Sequence, residues 1–94
     1  MRTIWKFEIP SICDRFNLAM PVGAKALTVG VQRGILCVWA EVNTTKATVP
    51  HAFHLYGTGH PIEPGEDQLT YVGTYHLKAR EENFVWHLYQ VVTP

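Results

Sequence analysis

The sequence predicts an all-β fold of about seven mostly antiparallel strands, arranged as a small sandwich or a partly open barrel. Apolar side chains recur at every second position in most of the chain, as in half-buried strands, and rarely at helical spacing. Turn-forming residues interrupt these stretches every eight to twelve residues or so, which is typical of sandwiches and barrels. With 94 residues and no Gly/Ser-rich linker, residues 1–94 should form a single β-rich domain.

Three strands are predicted in the first third of the chain. Residues 4–9 place Trp, Phe and Ile at alternate positions, and Pro10 should end this strand because proline has no N–H to donate. Residues 16–20 and residues 27–31 show the same alternation. Each stretch is therefore expected to bury one face and expose the other.

A hairpin is predicted between the third strand and the fourth, which spans residues 35–42. Arg33 and Gly34 separate the two apolar runs. Glycine readily takes the positive φ that a two-residue hairpin turn requires. The third and fourth strands should therefore pair directly.

The remaining strands are predicted at residues 51–56, 69–77 and 83–92, with a turn-rich loop at residues 57–68. If Leu77 pairs with Phe84 across the last hairpin, the inward face of these two strands is rich in apolar and aromatic side chains. The predicted core combines such inward positions from several strands, namely Trp5, Phe7, Leu27, Val29, Leu55, Tyr75, Trp86 and Leu88.

Composition excludes several classes of function. Eight Lys and Arg residues balance eight Asp and Glu residues, so the chain lacks the positive field that holds duplex nucleic acid. The longest uncharged apolar stretch, residues 34–40, is far shorter than the roughly 20 residues that span a bilayer. Cys13 and Cys37 show no Cys-x-x-Cys spacing, and the first residues do not resemble a signal peptide. We therefore expect a cytosolic protein with reduced thiols and no membrane contact.

The loop around residues 56–61, Tyr-Gly-Thr-Gly-His-Pro, is the first candidate binding site. Successive amides at Gly57, Thr58 and Gly59 can form an anion-binding nest, with the Thr58 hydroxyl and the His60 imidazole as further donors. The segment matches neither a P-loop nor a dinucleotide-binding fingerprint. The alternative interpretation is a structural turn whose glycines adopt positive φ.

The second candidate is a face of the last two strands. In the predicted register His76, His87 and Tyr89 share one face, which suits a ring-containing ligand with imidazoles near its phosphate. The alternative is an ordinary solvated sheet surface. The candidate ligand-binding residues from the loop and this face are His54, Tyr56, Gly57, Thr58, Gly59, His60, His76, His87 and Tyr89.

No catalytic or metal-binding constellation is predicted. Ser11 is the only serine and nothing beside it resembles a nucleophile elbow. His51 and His54, three residues apart on a strand, should point to opposite faces, and no carboxylate or cysteine joins them at ligand spacing. The sequence therefore indicates a binding protein rather than an enzyme, with no cofactor and no metal.

Several stretches together resemble a family of small proteins encoded by tailed phages and prophages. They are Trp-Lys-Phe-Glu-Ile-Pro at residues 5–10, Cys-Val-Trp-Ala at 37–40, Tyr-Gly-Thr-Gly-His-Pro-Ile at 56–62, the strand at 69–74 and the aromatic strand at 85–88. The resemblance runs nearly end to end. It implies a phage accessory protein acting in the host bacterial cytoplasm, and it carries over no activity, cofactor or catalytic residue.

This provenance favours a counter-defence role. The leading hypothesis is a sponge that sequesters a nucleotide-type immune signal, either a cyclic oligonucleotide or an ADP-ribose derivative. The alternatives are a stoichiometric inhibitor of a bacterial defence protein and a virion accessory protein. Since a small sheet leaves open edges and apolar area, we also expect a homo-oligomer, most simply a symmetric dimer.

Overall fold

The computed structural model describes residues 1–9, 13–63, 65, 68–79 and 82–92, so Pro10 and Ser11 lie outside the described residues. The chain forms seven strands, each pairing antiparallel with its neighbours, which confirms the predicted all-β fold. Among the described residues no helix is long and apolar enough to cross a membrane. The strands are β1 (Arg2–Glu8), β2 (Arg15–Pro21), β3 (Lys25–Gln32), β4 (Ile35–Asn43), β5 (Thr48–Gly57), β6 (Leu69–Ala79) and β7 (Glu82–Val91).

The strands form two sheets that pack face to face. One sheet has the order β1-β4-β3 and the other has the order β2-β5-β7-β6. The two sheets pack into a compact globule and do not close into a barrel. They lie closest where β3 runs beside β6, and the molecule measures 44 × 36 × 17 Å.

The hairpin between β3 and β4 confirms the predicted turn. Arg33 has φ 53° and Gly34 has φ 76°. Positive φ at both central residues is the signature of a type I′ turn, whose twist matches that of the flanking strands. Val31 consequently pairs with Leu36, and Gln32 pairs with Ile35.

The core lies between the inner faces of the two sheets. Of the predicted core residues, Val29, Leu55, Tyr75 and Leu88 are buried, while Phe7 and Trp86 are partly buried against them. The largest fully buried side chains come from both sheets and are Phe53, Met20, Leu88, Val38, Val42 and Cys37.

The prediction was wrong for two core residues, Trp5 and Leu27, each of which is 42% exposed. Trp5 lies on β1, at the edge of its sheet, where no described strand pairs with the other side of β1. Leu27 occupies an irregularity between Ala26 and Thr28, where the register of β3 against β4 shifts. A bulge of this kind inserts one residue that has no partner on the neighbouring strand, so the alternation of buried and exposed side chains is interrupted there.

The register of the last hairpin is confirmed for its first half. Leu77 pairs with Phe84, His76 with Val85 and Thr74 with His87. A second bulge between Tyr71 and Gly73 then shifts the register, so Tyr89 lies opposite Tyr71 rather than Val72. The bulge therefore brings Tyr71 to the outer face and leaves Val72 buried.

Two residues of the four-stranded sheet hold the other sheet in place. The Gln90 side chain accepts a hydrogen bond from the Ala26 amide (2.9 Å) and donates one to the Ala24 carbonyl (3.1 Å). Gly73 approaches β3 so closely that an added Cβ would lie 3.0 Å from Cγ1 of Val29. These contacts fix β3 beside β6.

Candidate functional site

The outer face of the four-stranded sheet carries most of the candidate residues. Paired residues of antiparallel strands project to the same face. His54 lies opposite Tyr89, and Tyr56 lies opposite His87. We call the outward-facing set on β5, β6 and β7 the aromatic platform, which consists of His54, Tyr56, Tyr71, Thr74, His87 and Tyr89.

The rings of the platform form a continuous row across three strands. The ring centroids of Tyr71 and Tyr89 lie 5.5 Å apart, and those of Tyr89 and Tyr56 lie 5.7 Å apart. His54 follows at 6.1 Å from Tyr56. All three pairs meet edge to face, which is a favourable arrangement for aromatic quadrupoles. Tyr71, at one end of the row, is 54% exposed.

A chain of hydroxyl and imidazole groups runs beside this row. The hydroxyls of Tyr71 and Thr74 are hydrogen-bonded to each other. Oγ1 of Thr74 lies 2.9 Å from Nδ1 of His87, and Oγ1 of Thr58 lies 2.9 Å from its Nε2. Because hydroxyls both donate and accept, the two threonines hold the His87 ring in either tautomer. His87 is thus fixed in orientation at the centre of the platform.

His54 is the buried member of the platform, with only 5% of its surface exposed. Its Nδ1 lies 3.1 Å from the Tyr56 hydroxyl, and its Nε2 lies 3.5 Å from Nη1 of Arg15. A guanidinium group only donates hydrogen bonds, so this geometry fits the tautomer with the proton on Nδ1. His54 therefore holds the Tyr56 hydroxyl in position.

Residues 57–60 form a tight turn after β5. The His60 amide donates to the Gly57 carbonyl at 3.0 Å, and Gly59 has φ 89°. This combination is typical of a type II turn, which requires positive φ at its third residue. Gly59 supplies that conformation, and the turn aims Thr58 towards His87.

Two of the three amides of the predicted anion nest form hydrogen bonds within the protein. The Gly57 amide donates to Nδ1 of His60 at 3.2 Å, and the Thr58 amide donates to the Val85 carbonyl at 3.3 Å. Both N–H groups are therefore engaged within the protein. Gly59 adopts the positive φ that the alternative interpretation expected, whereas Gly57 does not.

The His60 ring is seated between Gly57 and Trp86. Its centroid lies 6.1 Å from that of Trp86, with the rings at 74°. A Cβ on Gly57 would lie 2.8 Å from Cε1 of His60, which is too short for a non-bonded contact. Because Gly57 has no Cβ, the imidazole of His60 can lie close to the backbone at position 57.

A pocket of about 400 Å³ opens beside the turn. This volume falls within the range of roughly 300–1,000 Å³ that is common for small-molecule sites. Thr58 lines the pocket and also contacts His87, so the pocket adjoins the platform. We call it the turn pocket, and its lining residues are Gly57, Thr58, His60, Asn83, Phe84, Val85 and Trp86.

The predicted site residues fall into three groups. Tyr56, Thr58, His87 and Tyr89 meet on the platform or at its border, as predicted. Buried His54, turn residues Gly57 and Gly59, and pocket residue His60 support or flank them. His76 is exposed opposite Val85, two residues beyond Thr74, and takes no part in the hydrogen-bonded chain among the described residues.

Sequence reasoning missed Tyr71, Thr74 and Arg15. Thr74 could have been found, since the predicted register already placed it opposite His87. Tyr71 reaches the platform because of the bulge before Gly73. Arg15 reaches His54 through the pairing of β2 with β5, two strands that are distant in sequence. Pairing of that kind has no local signal.

The described residues contain no group of three or more His, Cys, Asp or Glu side chains that could hold a metal ion. No curated protein and no solved structure matches the chain. A family model described as a domain of unknown function, DUF7352, matches residues 1–94, and the chain belongs to that family.

Proposed function

We propose that this chain is a phage-encoded, non-catalytic binding protein that acts in the host bacterial cytoplasm. In this proposal it sequesters a nucleotide-type immune signal, either a cyclic oligonucleotide or an ADP-ribose derivative. The observation that carries the proposal is the aromatic platform next to the turn pocket. The resemblance to phage proteins supplies the biological setting.

The platform and the pocket offer complementary contacts to such a ligand. The exposed Tyr71 ring can stack a base, an interaction of about 1–3 kcal/mol. The turn pocket lies at the end of β5, where Thr58 reaches it from the platform side and Trp86 and Phe84 belong to the inner face of β7, and it can enclose a second ring. Hydroxyls of Thr58 and Thr74 lie between these two places and can bind ribose or phosphate oxygens.

The neutral net charge fits a small ligand better than a polymer. With eight basic and eight acidic residues, the chain creates no extended positive field for a nucleic acid backbone. A ligand with a few phosphates can instead be held by local hydrogen bonds and stacking. Arg15 adds a guanidinium beside the His54 end of the ring row.

The surroundings of His87 favour binding over catalysis. Both of its ring nitrogens are hydrogen-bonded to threonine hydroxyls. These partners orient the imidazole, and neither is the carboxylate that orients the histidine of a Ser-His-Asp site. If one threonine hydroxyl rotates away, the ring nitrogen that it leaves can form a hydrogen bond with a ligand, and the other threonine still holds the ring in place.

The test is to incubate the purified protein with a panel of cyclic di- and trinucleotides and ADP-ribose derivatives. We expect at least one ligand to disappear from the free fraction and to be recovered chemically unchanged after heat denaturation. Recovery of cleavage products would instead identify an enzyme. Binding of no panel member, together with co-purification of a host defence protein, would favour the inhibitor alternative.

A matched pair of variants locates the site. Tyr71→Ala removes the exposed ring of the platform and should weaken binding about tenfold, as expected for the loss of one stacked base. Val31→Ala truncates a side chain of similar exposure (53%) on the other sheet and should leave binding unchanged. Equal binding by both variants would place the ligand away from the platform.

A further inference from the structure

The outer edge of β1 is an open sheet edge with exposed apolar side chains. β1 pairs with β4 on one side, and no described strand pairs with its other side. Ile4 is 57% exposed, and Trp5 is exposed although it projects to the inner face. Open edges with apolar side chains are templates for pairing with another chain.

The polar backbone groups that face this open edge can be identified. The Ile9 amide donates to the Leu36 carbonyl, and the Thr44 amide donates to the Met1 carbonyl. Hydrogen-bonded and non-hydrogen-bonded pairs alternate along an antiparallel ladder. The odd residues of β1 therefore bond to β4, and the even ones, Arg2, Ile4, Lys6 and Glu8, direct their N–H and C=O groups outwards.

We propose that a second copy of this chain docks here, with the two β1 strands antiparallel about a two-fold axis at Trp5. Arg2 then lies opposite Glu8 of the second copy, and Ile4 lies opposite Lys6. All four outward-facing residues find outward-facing partners, so the backbone groups of both strands pair along their whole length. The two three-stranded sheets become one six-stranded sheet.

Charge selects this register over its neighbours. Moving the axis to Ile4 places Arg2 opposite Lys6, and moving it to Lys6 places two lysines opposite each other. Like charges directly opposite one another are destabilising. An axis at Phe7 pairs Lys6 with Glu8, but it leaves Arg2 and Ile4 without partners among the residues of β1. The register about Trp5 is the one in which β1 pairs along its whole length and opposite charges face each other at its ends.

The other three edge strands are less suited to pairing, because β3 and β6 lie beside each other and β2 carries a proline. The Val22 amide donates to the Ala47 carbonyl, so the odd residues of β2 face outwards by the same alternation. One of them is Pro21, which lacks an N–H, a common device for protecting a sheet edge. The docking edge is therefore β1.

Pairing at β1 also accounts for the exposure of Trp5. At the axis Trp5 faces Trp5 of the second copy in a non-hydrogen-bonded pair, where opposite side chains approach most closely. The two indoles cover each other at the rim of the sandwich. The aromatic platform lies on the other sheet, so the inference stands independently of what the platform binds.

Proline substitutions test the edge. The parent should have twice the 10.7 kDa mass of one chain by light scattering at micromolar concentration. Ile4→Pro removes an outward N–H and should give a folded monomer by mass and circular dichroism. Ala19→Pro, which removes an outward N–H from β2, should remain dimeric. A monomeric parent, or dissociation by Ala19→Pro alone, would overturn the proposal.

A charge-reversal mixture tests the register, even if Ile4→Pro fails to fold. Glu8→Arg and Arg2→Glu each place like charges at both ends of the paired strands. Each variant alone should dissociate about tenfold more readily at low salt. An equimolar mixture should form a heterodimer more tightly than either variant pairs with itself, because Arg then faces Glu at both ends, although Arg2→Glu also removes the ion pair of Arg2 with Glu41 of its own chain. A mixture that associates no more tightly than either variant alone would refute this register.

Discussion

Tyr75 and Trp86 face each other across β6 and β7 on the inner side of the sheet. The Tyr75 hydroxyl and Nε1 of Trp86 are buried and have no hydrogen-bond partner among the described residues. A buried polar atom without a partner loses its bonds to water and gains none in return. Burial also raises the pKa of the Tyr75 hydroxyl to about 12.

The Tyr75→Phe variant should be more stable than the parent by about 1 kcal/mol, because it removes an unsatisfied hydroxyl and keeps the ring. Urea unfolding at pH 7 measures this difference. Tyr71→Phe is the control: it removes an exposed hydroxyl that is bonded to Thr74, so it should give no gain. A loss of stability in Tyr75→Phe would mean that the hydroxyl has a partner after all.

The same variant should change the alkaline stability profile. An unfolded tyrosine loses its proton near pH 10, whereas folded Tyr75 keeps its proton up to about pH 12. Between these values the unfolded state binds fewer protons than the folded state, so the free energy of unfolding falls as pH rises. The parent should show this decline between pH 10 and 12. Tyr75→Phe should show a smaller one.

Gly57→Ala should displace the His60 ring without unfolding the protein. The added Cβ would lie 2.8 Å from that ring, and the ring is a side chain that can rotate away. We expect a change in tryptophan fluorescence as His60 leaves Trp86, and roughly tenfold weaker binding of any ligand held in the turn pocket.

Gly30→Ala is the matched control for that experiment. Gly30 also lies beside an aromatic ring, but its added Cβ would sit 3.7 Å from Cζ3 of Trp39, an ordinary contact distance. Its fluorescence and ligand binding should match those of the parent. Parental fluorescence in Gly57→Ala would show that the imidazole does not need the space above residue 57.

Which side chains a strand presents on its outer face depends on bulges and turns as well as on the alternation of apolar and polar residues. The bulge between Tyr71 and Gly73 sets Tyr71 beside Tyr89, and the turn at residues 57–60 carries Thr58 to His87. Pro50 lies within β5 opposite Ala19, ahead of Phe53, where pairing with β7 begins. Since Pro50 precedes the residues of β5 that pair with β7, its missing N–H does not remove a hydrogen bond between these two strands.

Gly59→Val should destabilise the turn by about 1–3 kcal/mol, because a β-branched residue is strained at positive φ. Nothing lies within 4 Å of the added Cβ, so the cost is conformational rather than steric contact with neighbours. Gly59→Asn should cost less than half as much, since asparagine tolerates the left-handed region. Thermal or urea unfolding compares the two, and equal losses would contradict the backbone explanation.

A few specific contacts determine how the two sheets are placed relative to each other. Hydrophobic contact across the sandwich is non-directional, so it does not by itself fix which strands lie next to each other. The Gln90 amide supplies direction, because its two ends bond the carbonyl of Ala24 and the amide of Ala26. Gly73 permits the accompanying close approach to Val29.

Gln90→Leu should lower the free energy of unfolding by about 2–4 kcal/mol, since it leaves the Ala24 carbonyl and the Ala26 amide without their partner. Gln90→Glu keeps the acceptor but, when ionised, lacks the donor for Ala24. Its stability should therefore recover in part as pH falls and the carboxyl is protonated. Urea unfolding at pH 7 and pH 4 tests both changes, and a neutral Gln90→Leu would show that the tie is dispensable.

Local patterns in the sequence were sufficient for the strands and two of their connections. Alternation located all seven strands, because a strand in a sandwich has one wet and one dry face. The Arg33-Gly34 turn and the Leu77–Phe84 register followed from chemistry within a single hairpin. They also placed His87 and Tyr89 on one face, which is the part of the candidate site that sequence alone determined.

Only the tertiary structure decided how those faces are used. Trp5 and Leu27 fit the apolar pattern but lie at a sheet edge and in a bulge, because burial depends on what packs opposite rather than on periodicity. The Gly57 and Thr58 amides donate to His60 and Val85, an outcome fixed by the fold of the turn against β7. The local sequence determines on which face of a strand a side chain lies, whereas the pairing of distant strands determines which residues that face contacts.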